Sequence, residues 1–183
     1  MGKRRSKIEE LKIDSRLGQF LNPEYAYKFS QNPNVVRTKE DALRSGINCI
    51  SLAHLVIKEL FDYELPPDLL CAELYLDHEH FEPVADTTKM QLGDLVWFGA
   101  SNFGKDPFEV ELRYGKHGQL INWREFPVKH VAIYTGLTES CDPLLLHATF
   151  VGGVNNTVWP MSKFRSYQRY KKMHGITRFI MVN

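Results

Sequence analysis

The sequence predicts an α+β protein, in which N-terminal helices pack on a mostly antiparallel sheet of about five or six strands. Apolar residues of the first half recur at helical spacing, whereas after Leu76 they form short β-branched or aromatic runs between turn residues. The composition agrees with one globular domain, since 43% of the 183 residues are hydrophobic and 25% are charged.

Residues 1–24 are expected to form an N-terminal arm, and residues 25–183 the domain. The arm and the residues just after it mix charge with Asn-Pro turn signals, which favours a short helix and an extended segment. The basic start lacks the apolar stretch of a signal peptide, and no membrane span is predicted. The three cysteines cannot all pair within one chain, so reduced thiols are expected. We therefore expect a cytoplasmic location, or export by a route without a signal peptide.

The main helix is predicted over residues 48–61, where Asn48 can cap its start and Leu65-Pro66-Pro67 follows its end. Its apolar residues cover two adjacent faces, which is typical of a helix buried against a sheet. A second helical segment is predicted over residues 67–76.

Strands are predicted over residues 94–98, 128–135, 144–150, 156–159 and 176–182. The first two are separated by a stretch too long for a hairpin turn. Residues 99–127 are therefore expected to be an insertion that carries its own β-ribbon, and long loops of this kind often cover binding sites.

Cys49 is the best candidate for a nucleophile. A free thiol is mostly protonated at neutral pH, but the start of a helix and a nearby imidazolium both favour the thiolate. Backbone N–H groups at the same helix start can also stabilise an oxyanion. Cys71 lies in an apolar helical run, and Cys141 lies in an acidic turn that opposes ionisation. We therefore expect the Cys49 sulfur to be held ionised.

Two histidines on consecutive predicted strands complete the candidate site. Strand alternation places His130 and Ala132 on one face, where the small alanine leaves room for a partner. His147 lies on the next strand and can orient the His130 ring through one hydrogen bond. A cysteine followed by two histidines in this order predicts a Cys-His-His triad that reacts through a thioester.

Five segments carry a resemblance to a known family. They are Gly46-Ile47-Asn48-Cys49-Ile50-Ser51-Leu52, Leu92-Gly93-Asp94-Leu95-Val96-Trp97-Phe98, His130-Val131-Ala132-Ile133-Tyr134, Leu146-His147-Ala148 and Gly175-Ile176-Thr177-Arg178. From about Tyr25 to the end, the chain resembles the NlpC-type papain-like cysteine peptidases of bacterial cell walls.

The resemblance implies a papain-like fold and hydrolysis of the bond between D-γ-glutamyl and a diamino acid in peptidoglycan. Cys49 would be the nucleophile, His130 the general base and then acid, and His147 the orienting residue. The expected substrate-binding residues are Tyr25 or Tyr27, Asn48 and Ser51. The expected partner is thus a peptide or peptidoglycan fragment, and the oligomeric state stays open.

The chain departs from this family beside its cysteine. The family holds a free substrate amine with an acidic residue before the cysteine and a serine after it, whereas this chain has Asn48 and Ile50. An amide and an alkyl group cannot neutralise an ammonium. The triad could therefore serve acyl transfer, deamidation or proteolysis of another target instead, as in an effector or toxin.

The last quarter of the chain suggests another function. After Pro143 there is no Asp or Glu, and basic residues alternate with aromatic ones, which could bind a polyanion without catalysis. We favour a solvated amphipathic helix whose aromatic side chains point inward, and nucleic acid is not an expected partner.

Two groups of residues contain side chains that can bind metal ions. One is Asp77-His78-Glu79-His80 with Glu82, for which a solvated acidic loop is the ordinary interpretation. The other is Cys49, His130 and His147, which could hold a zinc ion with one open position. The triad gives these three residues another role, so neither a metal nor another cofactor is expected.

Overall fold

The computed structural model describes residues 13–29, 31–100, 106–150 and 156–181. In these residues the chain forms an α+β fold with five α-helices and one six-stranded antiparallel sheet. The helices are α1 Ser15–Gly18, α2 Lys39–Ser45, α3 Cys49–Phe61, α4 Cys71–Leu76 and α5 Met161–Arg165. The strands are β1 Phe81–Pro83, β2 Leu95–Gly99, β3 Val128–Leu137, β4 Pro143–Ala148, β5 Asn156–Pro160 and β6 Lys172–Phe179, in the spatial order β1-β6-β2-β3-β4-β5.

The start of α3 is fixed by a reciprocal cap. The Asn48 side chain accepts hydrogen bonds from the N–H groups of Ile50 and Ser51, and the Ser51 hydroxyl accepts one from the Asn48 N–H. Asp62, in the left-handed conformation with φ 54°, ends the helix. The helix predicted over residues 48–61 is thereby confirmed, and α3 lies across one face of the sheet.

The two faces of the sheet have different cores. Val131 and Ile133 point into the core that contains α3, whereas Ala132 between them points into a second core. Helix α5 and the following 3₁₀ turn, Gln168–Tyr170, cover this second core. Phe164 and Tyr170 are buried there and the basic side chains between them are exposed, so the predicted inward-facing aromatic residues are found.

A buried ion pair joins the central strand β2 to β6. Arg178 donates from Nε to Asp94 Oδ1 and from Nη2 to Asp94 Oδ2, both at 2.9 Å. The preceding residue, Gly93, has φ 92°, and a Cβ there would lie 2.7 Å from Leu60 Cδ1 on α3. Only glycine permits both this backbone conformation and this close approach of the helix to the sheet.

Several boundaries differ from the prediction. Strand β1 was not predicted, since it has only three residues and includes Pro83. The helix predicted over residues 67–76 begins only at Cys71, because residues 66–70 form turns. Strand β4 ends at Ala148 rather than at residue 150, and β6 begins at Lys172 and ends at Phe179 rather than running from 176 to 182.

The insertion contains less regular structure than expected. Its described part, residues 106–127, has the 3₁₀ turn Pro107–Glu109 and one antiparallel bridge, between Tyr114 and Leu120. The β-ribbon predicted for residues 99–127 is thus reduced to that bridge in residues 106–127, and residues 101–105 lie outside the described residues.

The described end of the N-terminal arm packs in the main core. Leu17 and Phe20 are fully buried, and the Asn156 side chain donates a 2.8 Å hydrogen bond to the Phe20 carbonyl. Residues 1–12 lie outside the described residues. In the part of the chain that the structure describes, no helix has the length and apolar character needed to cross a membrane.

Candidate active site

Cys49 is the first residue of α3, and its sulfur lies against the backbone of β3. The Val131 N–H donates a hydrogen bond to this sulfur, and the N–H groups of Cys49 and Ile50 at the helix start also lower its pKa. The helix start thus supplies two donors and the sheet a third. Such donors favour a negative charge on the sulfur or on an oxyanion bound beside it.

The sulfur occupies a gap between two strands. The Tyr134 N–H and C=O both bond to the β2 side, to Asp94 and Gly93. Strand alternation therefore directs the polar backbone groups of Val131 toward β4. In the described part of the chain, the ladder between β3 and β4 runs from Leu137 paired with Pro143 to Ile133 paired with Leu146, and stops there. The Val131 N–H bonds to the sulfur instead of continuing the ladder.

His130 and His147 form the pair that the sequence predicts. Nε2 of His130 lies 3.0 Å from Nδ1 of His147. Both rings are buried, with 3% of His130 and none of His147 exposed. The His130 ring also stacks on Tyr170, with ring centroids 4.5 Å apart. His130 is therefore held on two sides, by a hydrogen bond and by an aromatic ring.

The surroundings of His147 indicate how the protons are arranged. Its Nε2 is buried with no hydrogen-bond partner among the described residues, and its ring lies 4.4 Å from Trp159 and 4.6 Å from Phe164. An N–H group is more favourable than a lone pair beside aromatic faces. We therefore assign the proton to Nε2 of His147, so that its Nδ1 accepts from His130. This leaves Nδ1 of His130 unprotonated, as a general base requires.

The protonation state of the site differs from the expectation. Burial lowers the pKa of His130 to about 3, with a further contribution from the charge of Arg169. Burial also lowers the pKa of His147 well below its usual value and raises the pKa of the Cys49 thiol. The three N–H donors oppose this effect on the thiol but do not reverse it. The resting pair is therefore a neutral thiol and a neutral imidazole, rather than the expected thiolate.

The Cys49 thiol and the His130 ring are not hydrogen-bonded to each other in this structure. Within the described residues, Cys49 makes no hydrogen bond to His130, although His130 directly precedes the residue whose N–H binds the sulfur. Catalytic contacts are often long in the absence of substrate and shorten when it binds. Proton transfer here requires the Cys49 thiol and the His130 ring to come within hydrogen-bonding distance.

The structure distinguishes between the two candidate tyrosines. Tyr25 is 3% exposed and packs beside Phe20, with ring centroids 6.4 Å apart. Burial raises the pKa of Tyr27 to about 12, and the electrostatic interaction with the nearby Cys49 is the next cause. A parallel bridge between Tyr27 and Ile47 holds it beside the start of α3. Tyr27 is thus the hydroxyl near the thiol.

The side chains of Asn48 and Ser51 form their hydrogen bonds within the protein. Asn48 Oδ1 accepts the two capping bonds, and its Nδ2 donates to the carbonyls of Phe29 and Gln31 at 3.2 and 2.7 Å. Ser51 is fully buried, and among the described residues its hydroxyl bonds to Asn48 alone. The expectation that these two side chains bind a substrate therefore finds no support in the geometry.

Two pairs of aromatic residues that the sequence analysis does not single out include exposed rings. Phe29 lies 6.4 Å from Trp123, and Tyr27 lies 6.3 Å from Phe150, measured between ring centroids. Phe29, Trp123 and Phe150 are 67%, 46% and 76% exposed. Tyr170 is one of the aromatic residues that alternate with basic ones in the last quarter of the chain, and nothing in the sequence indicates its contact with His130.

The acidic segment after α4 forms a buried hydrogen-bonded chain. His80 bonds through Nδ1 to Asp77 Oδ2 at 2.7 Å and through Nε2 to the Tyr63 hydroxyl at 3.0 Å. Both ring nitrogens are therefore already engaged. Across the described residues, no group of three His, Cys, Asp or Glu side chains is arranged to hold a metal ion.

The chain was compared with protein families, with curated proteins and with solved structures. No family model, no curated protein and no solved structure matches it.

Proposed function

We propose that the protein cleaves an amide bond through a thioester formed on Cys49. The observation that carries this proposal is the 3.0 Å contact between His130 on β3 and His147 on β4. The residue after His130, Val131, donates its N–H to the Cys49 sulfur. Acyl transfer through cysteine requires an oriented base and N–H donors at the thiol. The His130–His147 pair supports the first requirement, and the N–H groups at Cys49 support the second.

The proposed cycle conserves every proton. Nδ1 of His130 takes the Cys49 proton as the sulfur attacks the carbonyl carbon. The resulting imidazolium gives that proton to the leaving amine, and the carbon–nitrogen bond breaks to leave a thioester. His130 then takes a proton from a water molecule that attacks the thioester carbonyl, and returns it to the departing sulfur. The net products are a carboxylic acid, an amine and the original thiol.

The resemblance to NlpC-type peptidases favours one substrate, the D-γ-glutamyl–diamino acid bond of a peptidoglycan stem peptide. The test is to incubate a purified stem peptide with the wild-type protein and with the Cys49→Ala and Cys141→Ala variants, and to measure the products by mass spectrometry. We expect cleavage by the wild type and by Cys141→Ala, since Cys141 is an exposed turn residue. Equal cleavage by Cys49→Ala, with an unchanged circular dichroism spectrum, would contradict the proposal.

A specific observation favours a second candidate, in which the same triad acts on another target by proteolysis, deamidation or acyl transfer. Asn48 stands where the family has an acidic residue, and all of its hydrogen-bonding groups are used within the protein. No group at this position remains to hold a free amine. Labelling of Cys49 by an iodoacetamide probe, without cleavage of any stem peptide, would favour this candidate, and efficient cleavage would exclude it.

A further inference from the structure

We infer that Arg169 is a specificity residue that binds a carboxylate group of the substrate beside the Cys49 thiol. This inference rests on the proposed function and adds the chemical class of the group that is recognised. A neutral or cationic substrate would gain nothing from this residue, whereas an anionic one would be held beside Tyr170.

The position of Arg169 follows from its neighbour Tyr170. The Tyr170 ring stacks on His130, and its hydroxyl makes hydrogen bonds with the side chains of Thr149 and Arg169. Tyr170 is buried, whereas Arg169 is exposed. The guanidinium therefore lies one phenol ring away from the candidate base, on the solvent side.

Arg169 is the charged residue that acts on His130, whereas the charge of Lys163 acts on His147. The charge of Arg169 affects the pKa values of Tyr27, His130 and Tyr170. Among the residues that the structure describes, no Asp or Glu side chain affects these three residues or Cys49. Among the described residues, Arg169 forms no ion pair with a carboxylate. The site thus presents an uncompensated positive charge.

The chemistry of the guanidinium identifies the group that it would bind. Arginine has five N–H donors in a planar fork, and one bond to Tyr170 leaves enough of them for a bidentate contact with a carboxylate. A bound carboxylate would also neutralise the positive charge that opposes an imidazolium on His130. Binding the correct substrate would therefore make His130 a better proton acceptor.

Two alkylating reagents of almost the same size test the inference without a known substrate. Iodoacetate carries a carboxylate and iodoacetamide does not, and both react when the sulfur forms a carbon–sulfur bond and displaces iodide. The rate of each reaction at Cys49 is measured by peptide mass spectrometry, and the ratio of the two rates is compared among variants.

We expect Arg169→Met to lower the iodoacetate-to-iodoacetamide ratio by about tenfold, because one favourable charge interaction at short range is lost. Arg169→Lys, which keeps the positive charge, should lower this ratio by less than Arg169→Met does. Arg165→Met is the matched control, because Arg165 is also exposed but does not act on the site residues, and it should leave the ratio unchanged.

The two proposals fail in different ways. If Arg169→Met leaves the ratio unchanged, or slows both reagents equally, the inference is overturned and the proposed function stands. If neither reagent labels Cys49 in the folded wild-type protein, the proposed function fails, and this inference fails with it.

Discussion

His130 and His147 lie on neighbouring strands with Nε2 and Nδ1 3.0 Å apart, and the aromatic rings around His147 determine which of the two nitrogens donates. Only the acceptor at Nδ1 of His147 is needed to orient His130. The asparagine side chain can place an oxygen acceptor at the same distance from the backbone, whereas alanine cannot.

We therefore expect His147→Ala to lower kcat/KM for amide cleavage by about 100-fold, and His147→Asn to retain most of the activity. Steady-state kinetics on a substrate identified for the wild type provides the measurement. Equal loss in both variants would show that His147 contributes through packing rather than through its acceptor nitrogen.

The neutral resting pair predicts the pH dependence of alkylation at Cys49. Burial raises the pKa of the Cys49 thiol and lowers that of His130 to about 3, so no thiolate–imidazolium pair forms at neutral pH. The thiolate fraction, and with it the iodoacetamide rate, should rise roughly tenfold per pH unit between pH 6 and 8. His130→Ala should show the same slope. A rate that is constant over this range would instead indicate a preformed ion pair.

Stability should decrease in acid because of His54. Burial lowers its pKa to about 4, and its Nε2 lies 2.9 Å from the Leu69 carbonyl. The unfolded chain, with an ordinary histidine pKa near 6.5, therefore binds the proton first as the pH falls. The stabilisation is complete above about pH 6.5 and is lost as the pH falls toward 4.

Urea denaturation at pH 7 and pH 5 measures this effect. The lowered pKa values of His130 and His147 also reduce stability in acid. The contribution of His54 is therefore isolated by comparing the wild type with His54→Gln. The variant should lose about 2 kcal/mol less unfolding free energy than the wild type over this range. An equal loss in both proteins would refute the assignment to His54.

Asn48 should not tolerate aspartate, although aspartate caps helices well. Its Nδ2 donates to the carbonyls of Phe29 and Gln31, and a carboxylate there would face two acceptors without a proton to give. We expect Asn48→Asp to reduce the unfolding free energy at pH 7 by about 2 kcal/mol or more. Asn48→Ser, which keeps the cap without adding charge, is the control and should cost less. Equal stability of Asn48→Asp and wild type would contradict this account.

The sequence predicted those features whose causes are local. The bounds of α3 follow from a cap at Asn48 and from prolines after its end, and the central strands lie between turn residues. Strand β1 could not be predicted in this way. It exists because Phe81, Glu82 and Pro83 pair with β6, nearly 100 residues further along the chain.

The same distinction applies to the candidate site. The order of Cys49, His130 and His147 was visible in the sequence, but the rings of Trp159, Phe164 and Tyr170 reach the two histidines only through tertiary packing. The charge state was mispredicted for the same reason. A helix start and a nearby imidazole favour the thiolate, and the burial that outweighs them depends on the whole fold.

The Val131 N–H bonds to the Cys49 sulfur at the point where the β3–β4 ladder stops. The surroundings of the thiol therefore depend on how β3 and β4 pair. If β3 and β4 form one further residue pair beyond Ile133 and Leu146, the Val131 N–H bonds to β4 and the sulfur loses that donor. If they splay apart, the donor stays but the two imidazoles separate. The hydrogen bonding of the thiol is thus coupled to the length of the β3–β4 ladder, so a change in strand pairing far from Cys49 in sequence would change the environment of its sulfur.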